Sequence, residues 1–208
     1  MIAARRGSDR LDPRTLNRAT LDRQLPLRRH DIPALDAVRH LVGLQAQLPN
    51  PPYLGLWTRL ADFAHEELSA LIHDRQVVRA VVLRATQHLV TAPDFLFLRP
   101  LLQPVLDRGR QAAMGRATAG MDLAELAEVG RSLLGNTTLT RPQIRELLAQ
   151  RWPDRSAEAL SWSVQYLLPL VSVPPGITWR KGGVPSAALG EYWLGRPVLA
   201  DPSPVELV

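Results

Sequence analysis

The 208-residue sequence contains no cysteine and a single lysine, and no stretch approaches the ~20 consecutive apolar residues of a membrane-spanning helix. Without cysteine there is no disulfide, no thiolate zinc site and no cysteine nucleophile, a composition that fits a reducing compartment. Met1-Ile2-Ala3-Ala4-Arg5-Arg6 lacks the apolar core of a secretory signal, so a cytoplasmic location and no membrane partner are expected. The five histidines, at positions 30, 40, 65, 73 and 88, lack the close spacing of metal ligands, and neither a metal nor another cofactor is expected. There is no Gly-x-Ser-x-Gly elbow, phosphate loop or dinucleotide fingerprint. Asp122, Glu125 and Glu128 fall along one helix and read as a solvated face rather than a paired-carboxylate site.

What is present is enough apolar material for a core: 46% of the residues are hydrophobic, sufficient for one large domain or two small ones. Net charge is +5, and the excess lies in the first half. Residues 1–110 carry 16 arginines against 11 acidic residues, whereas residues 111–208 carry nine of each sign. Because 24 of the 25 basic residues are arginine, the surface suits bidentate phosphate contacts, and a polyanion such as DNA is the expected partner.

Residues 1–13 read as a loose basic tail. Helices are expected over 15–25, 33–44 with Asp31 as cap, 53–63 and 65–74, burying Leu54, Trp57, Leu60, Leu68 and Leu71. The segments 77–83 and 86–91 are rich in β-branched residues and separated by Arg84-Ala85, which predicts a hairpin. Helices followed by a hairpin form a winged-helix unit, here 14–92. A linking helix over 94–113 and its loop fill 93–121. A second unit, 122–200, opens with a helix over 122–134 that repeats apolar residues at Leu123, Leu126, Val129, Leu133 and Leu134. Thr140-Arg141-Pro142-Gln143 is a capped start for a helix to Trp152, and Ser156 caps another through Leu168. Strands at 171–173 and 177–180 would flank Pro174-Pro175-Gly176. The fold class expected is therefore mainly α: tandem winged helix-turn-helix units with small β-hairpin wings. Ser203-Pro204-Val205-Glu206 carries a capping box with proline inside it two residues before the end of the sequence, so 201–208 reads as the start of a third, truncated unit.

Between the second and third helices lies an unusual segment, Gly43-Leu44-Gln45-Ala46-Gln47-Leu48-Pro49-Asn50-Pro51-Pro52. On a helix, Gln45 and Gln47 would point about 200° apart. The prolines disfavour helix for the residues before them, so the backbone is expected to be extended and the two amides to share a face. A neutral amide donates and accepts hydrogen bonds, and can hold a water or read a base edge without adding charge. Two solvated glutamines at a helix end would satisfy the pattern equally well.

Leu16-Asn17-Arg18-Ala19-Thr20-Leu21, the segment from Gly43 to Trp57, the stretch from Arg79 to Val90 and Ala200-Asp201-Pro202-Ser203-Pro204 together resemble the AlkZ-like winged-helix proteins. The resemblance runs over nearly the whole chain. It implies tandem winged helices in a C shape and a DNA glycosylase that removes alkylated guanine and unhooks interstrand crosslinks. The family signature is glutamine, an apolar residue, then glutamine or aspartate, and Gln45-Ala46-Gln47 is similar to its two-glutamine version. The resemblance implies catalytic roles for both: Gln47 holding the attacking water, Gln45 orienting it or contacting the deoxyribose or lesion. It also covers the Arg-x-Thr-x-His-Leu segment, with Ala85 where glycine is usual.

DNA contacts are expected from Arg79, Arg84, Thr86 and His88 of the first hairpin, the last three sharing one face of an extended strand. Arg180 and Lys181, beside Trp179, are expected at the tip of the second wing. The partner implied is double-stranded DNA carrying alkylated or crosslinked guanine, met by a monomeric, nucleoid-associated protein. Full-length members of the family continue into a third winged helix and a small β-barrel, so the resemblance places complete activity in a longer chain. The competing reading is a non-catalytic winged-helix DNA binder or transcription regulator in which the glutamines only contact DNA. A structural fragment without activity is the third.

Overall fold

A computed structural model describes residues 12–200 and Pro202. The expected basic tail, apart from its last two residues, and the third-unit start, apart from Pro202, lie outside the described residues. About half of the described chain is helical, and one antiparallel sheet of six strands runs through it.

α1 (Pro13–Arg23) begins within the expected tail, because the Asp12 carboxylate accepts from the Thr15 backbone N–H at 2.9 Å and Pro13 supplies a helical φ without a donor. α2 (Ala34–His40) is capped differently from the expectation. Asp31 does not cap it; Glu67 reaches across from α4 (His65–His73) and accepts from the Ala34 N–H at 2.7 Å. The helix also stops well short of Leu44. Val42 turns to φ 61°, and Gly43 presses so closely on the next hairpin that a Cβ there would lie 2.8 Å from the Val90 side chain. The chain then enters β1 (Leu44–Gln45) and, past the prolines, α3 (Pro51–Trp57).

β2 (Val77–Val81) and β3 (Gln87–Thr91) form the expected hairpin, joined through a single 3-10 turn at Leu83–Ala85. The linking helix is two helices, α5 (Ala92–Leu101) and α6 (Gln103–Met114), because Pro100 and Pro104 remove successive backbone donors around Leu102. The second half follows its caps closely. α7 (Leu123–Leu134) starts at Asp122; after β4 (Leu139–Thr140), α8 (Arg141–Arg151) starts at the Thr140/Gln143 capping box, and α9 (Ala157–Leu167) starts at Ser156. β5 (Leu170–Val173) pairs with β6 (Ser186–Leu189), after which α10 (Gly190–Leu194) begins. The strand expected at 177–180 is instead a turn: Thr178 N–H donates to the Pro175 carbonyl and Lys181 N–H to that of Thr178.

The sheet order is β1-β3-β2-β5-β6-β4. Each half contributes the same series, helix, strand, two helices and two strands, and the two three-stranded sets meet where β2 pairs β5, Arg79 opposite Ser172 and Ala80 opposite Val171. The two hairpins are thus one sheet. Separate apolar clusters fill the first half, around Tyr53, Leu56 and Leu68, and the second, around Leu126, Leu148 and Leu160; a third, with Phe95 of α5, lies on the junction strands.

Candidate functional site

The Gln-x-Gln segment runs along the edge of this sheet. β1 pairs β3 with Gln45 opposite His88, and the Ala46 N–H extends the ladder by donating to the Gln87 carbonyl at 2.8 Å. Ala46 is fully buried, while Gln45 and Gln47 on either side of it are exposed. From the other side a guanidinium completes the clamp. Arg79 Nε donates to the Ala46 carbonyl at 2.7 Å, Nη2 to the Gln47 carbonyl at 2.9 Å and Nη1 to Ser172 Oγ at 3.0 Å. Sheet pairing and an arginine together fix the backbone of the motif, so its two amides project from a rigid strand edge.

The amides open on different hollows. Gln45 lines one of about 590 Å³ with Arg23, Arg59, Arg84, His40 and His88, and among the described residues no carboxylate lines it. Gln47 lines another of about 390 Å³ at the junction of the halves, with Arg79, Gln87, Arg141, Arg145, Glu158 and Gln165.

Around Gln45 the hairpin residues gather, though not as a continuous strand. Arg84 sits in the turn at φ 53° and Ala85 follows at φ 55°, so the strand begins only at Gln87. Arg84 Nη2 lies 3.5 Å from Gln45 Oε1, and Thr86 Oγ1 lies 3.5 Å from His88 Nδ1. His88 is buried, its Nδ1 3.0 Å from the Thr86 carbonyl, and burial holds its pKa below the usual 6.5 with Arg84 adding to the effect. The imidazole is neutral at pH 7. Arg59, also drawn down by burial, is anchored on the Gln24 and Gly55 carbonyls at 2.7 Å each.

Arg79 is 8% exposed and holds its pKa at about 10, through burial first and the neighbouring Arg141 second. Its hydrogen bonds run to the motif backbone and to Ser172, so its first task is to hold the strand. Arg180 and Lys181 are exposed on the loop between β5 and β6, and that loop is tied to the segment after the motif. The Arg180 N–H donates to Asn50 Oδ1 at 3.2 Å and the Trp179 N–H to the Tyr53 hydroxyl at 3.1 Å. The first and second halves therefore both reach the Gln-x-Gln segment.

Arg141, Gln87, Gln165, Arg59 and Arg23 were not singled out by sequence. Arg141 is only the first residue of a capped helix in the sequence, and nothing local marks its long-range approach to Arg79 and Gln87 around one hollow. Chemically, the arrangement offers two neutral amides on a pinned backbone, a buried histidine and flanking guanidiniums. It suits water positioning and anion binding, and among the described residues no carboxylate lines the hollow at Gln45. Among the described residues no group of three His, Asp or Glu is placed to hold a metal.

The chain is also similar to known proteins. A family model described as "DNA glycosylase AlkZ-like" matches residues 38–208. Among solved structures, the Streptomyces sahachiroi DNA glycosylase AlkZ is similar with a TM-score of 0.70 at 21% identity, over 89% of this chain and 51% of that one. At that identity the likeness shows the fold, and the chain spans about half the length of that protein. No curated protein sequence matches the chain.

Proposed function

We propose, from the premise that the chain belongs to the AlkZ-like DNA glycosylase family, that it carries the base-releasing residues of a DNA repair glycosylase acting on N7-alkylated guanine, including guanine held in interstrand crosslinks. The observation that supports this best is the pinned Gln45-Ala46-Gln47 edge between two arginine-lined hollows. An N7-alkylated guanine is already cationic. Its C1′–N9 bond breaks with the electron pair going to the base, which leaves neutral and needs no proton from an acid. The sugar develops oxocarbenium character, and water adds at C1′ and gives up its proton to solvent. The protein then has to orient the water and stabilise developing charge with fixed dipoles. In this reading Gln47 accepts a hydrogen bond from the attacking water, and Gln45, which opens on the other hollow, contacts the deoxyribose or lesion. Arg84, Thr86, His88, Arg180 and Lys181 contact the DNA, while Arg79 keeps the motif in place.

The repeated series of helix, strand, two helices and two strands supports two winged-helix units, 14–92 and 122–200, linked by 93–121. The same series favours one second reading, a non-catalytic winged-helix DNA binder. Measuring base release from an N7-methylguanine duplex beside binding to unmodified sequences separates the two. Release with binding indifferent to sequence supports the glycosylase, whereas sequence-specific binding without release makes the chain a regulator.

A further inference from the structure

The hollow at the junction of the halves holds more positive charge than base release uses. Arg79, Arg141 and Arg145 line it against one carboxylate, Glu158. That carboxylate is occupied by Arg145 Nη1 at 2.9 Å and Trp162 Nε1 at 2.7 Å. Arg141 lies over the Trp162 ring, its guanidinium carbon 3.4 Å from the centroid, and donates Nη2 to Gln165 Oε1 at 3.0 Å. The three bonds of Arg79 all go to neutral acceptors. Two guanidiniums thus share a partly desolvated hollow in which, among the described residues, no carboxylate is hydrogen-bonded to either, and Glu158 acts on Arg141 only through its charge.

A second observation is independent of charge. Gln87 is 6% exposed and lines the same hollow, and among the described residues its Oε1 has no hydrogen-bond partner. An unpartnered amide end in a native interior calls for a ligand or water. The amide turned end for end would offer its NH2 group to the hollow.

The geometry points to a binding subsite for a phosphodiester oxyanion of the DNA backbone, gripped between Arg79 and Arg141 with the Gln87 amide beneath it. The inference rests on the DNA-repair reading above and adds to it the group that sets the register. Arg79 uses three N–H donors on the protein and retains two, and Arg141 presents a fork whose planar geometry matches two phosphate oxygens. The hollow is larger than one phosphate group, leaving room for the sugars on either side. Because Arg79 also holds the carbonyls of Ala46 and Gln47, a phosphate bound there fixes the DNA with respect to the Gln47 amide through one side chain. This ties backbone grip to placement of the reacting sugar, as phosphate contacts set register without reading sequence.

The test is equilibrium binding of duplexes in which single linkages around the lesion are replaced, one at a time, by neutral methylphosphonate. The full chain and its Arg141→Gln variant are compared, with thermal melting to verify that both are folded. One linkage is expected to weaken native binding by roughly tenfold when neutralised, the worth of a charge-assisted contact, and to have no further effect in Arg141→Gln. The variant should lower the slope of log K against log salt by about one, and Arg141→Lys should recover most of it. An unchanged salt slope, equal losses at every linkage in both proteins, or no DNA binding at low salt would each overturn the subsite. Inorganic phosphate that binds the native chain and not Arg141→Gln, without competing with DNA, would assign the hollow to free phosphate and overturn the phosphodiester assignment. Binding alone is read, so coupling without base release leaves the subsite standing while the glycosylase reading falls, and release without coupling does the reverse.

Discussion

Arg79 Nη2 donates to the backbone carbonyl of Gln47 at 2.9 Å, and the same guanidinium takes the Ala46 carbonyl at 2.7 Å. A cation on the first strand of the hairpin therefore holds a two-residue edge strand that would otherwise have only its pairing to β3 and the Ala46 N–H bond to the Gln87 carbonyl. Arg79→Met keeps the apolar stem but leaves two carbonyls and Ser172 Oγ without their donor. It should cost roughly 2–4 kcal/mol in a denaturant titration. Base release should fall by more than binding, because the amides lose their fixed placement.

Ala85 occupies the φ 55° position of the hairpin turn, and its Cβ sits over Gly109 of α6, where a built Cβ would approach to 2.8 Å. Gly109→Ala would ordinarily stabilise a helix by about 1 kcal/mol. In the native background the clash should win, for a net loss of roughly 1–2 kcal/mol. Combined with Ala85→Gly the sign should reverse, and a double-mutant cycle on thermal unfolding reads the coupling directly.

His88 links the site to pH. Its folded pKa lies below 6.5, so between that value and 6.5 the unfolded chain binds more protons than the folded one. The contribution of His88 to stability is present above pH 6.5 and is lost as pH falls through this window. Native protein should be progressively easier to unfold by denaturant from pH 7 towards pH 5, and His88→Gln should flatten that slope. A His88→Gln protein with the native slope would place the titration elsewhere.

Much of the second half was legible in its caps. Asp122, Thr140 with Gln143, and Ser156 each start a helix where the sequence put one, because a cap is a local contract between neighbouring residues. The first hairpin was legible in its β-branched residues. What failed was long-range or masked by local propensity. Ser186-Ala187-Ala188-Leu189 has little strand propensity and becomes a strand by pairing with β5, whereas Ile177-Thr178-Trp179-Arg180 looks like a strand and turns, burying Ile177 in the core of the first half. The join of β2 to β5, which makes one sheet of two hairpins, leaves no periodic trace. For that reason Gln45 and Gln47 were recognisable as a motif, while Arg141 and Gln87 beside them were not.

The central claim is that the two amides perform chemistry rather than recognition. Base release from a duplex carrying N7-methylguanine, read as alkali-labile strand breaks, should be measured for the full chain as encoded and for Gln45→Ala/Gln47→Ala, with binding titrated in parallel. The account predicts that the double substitution abolishes release while the dissociation constant changes by less than about tenfold. Release that survives the double substitution, or binding that disappears with it, would contradict it.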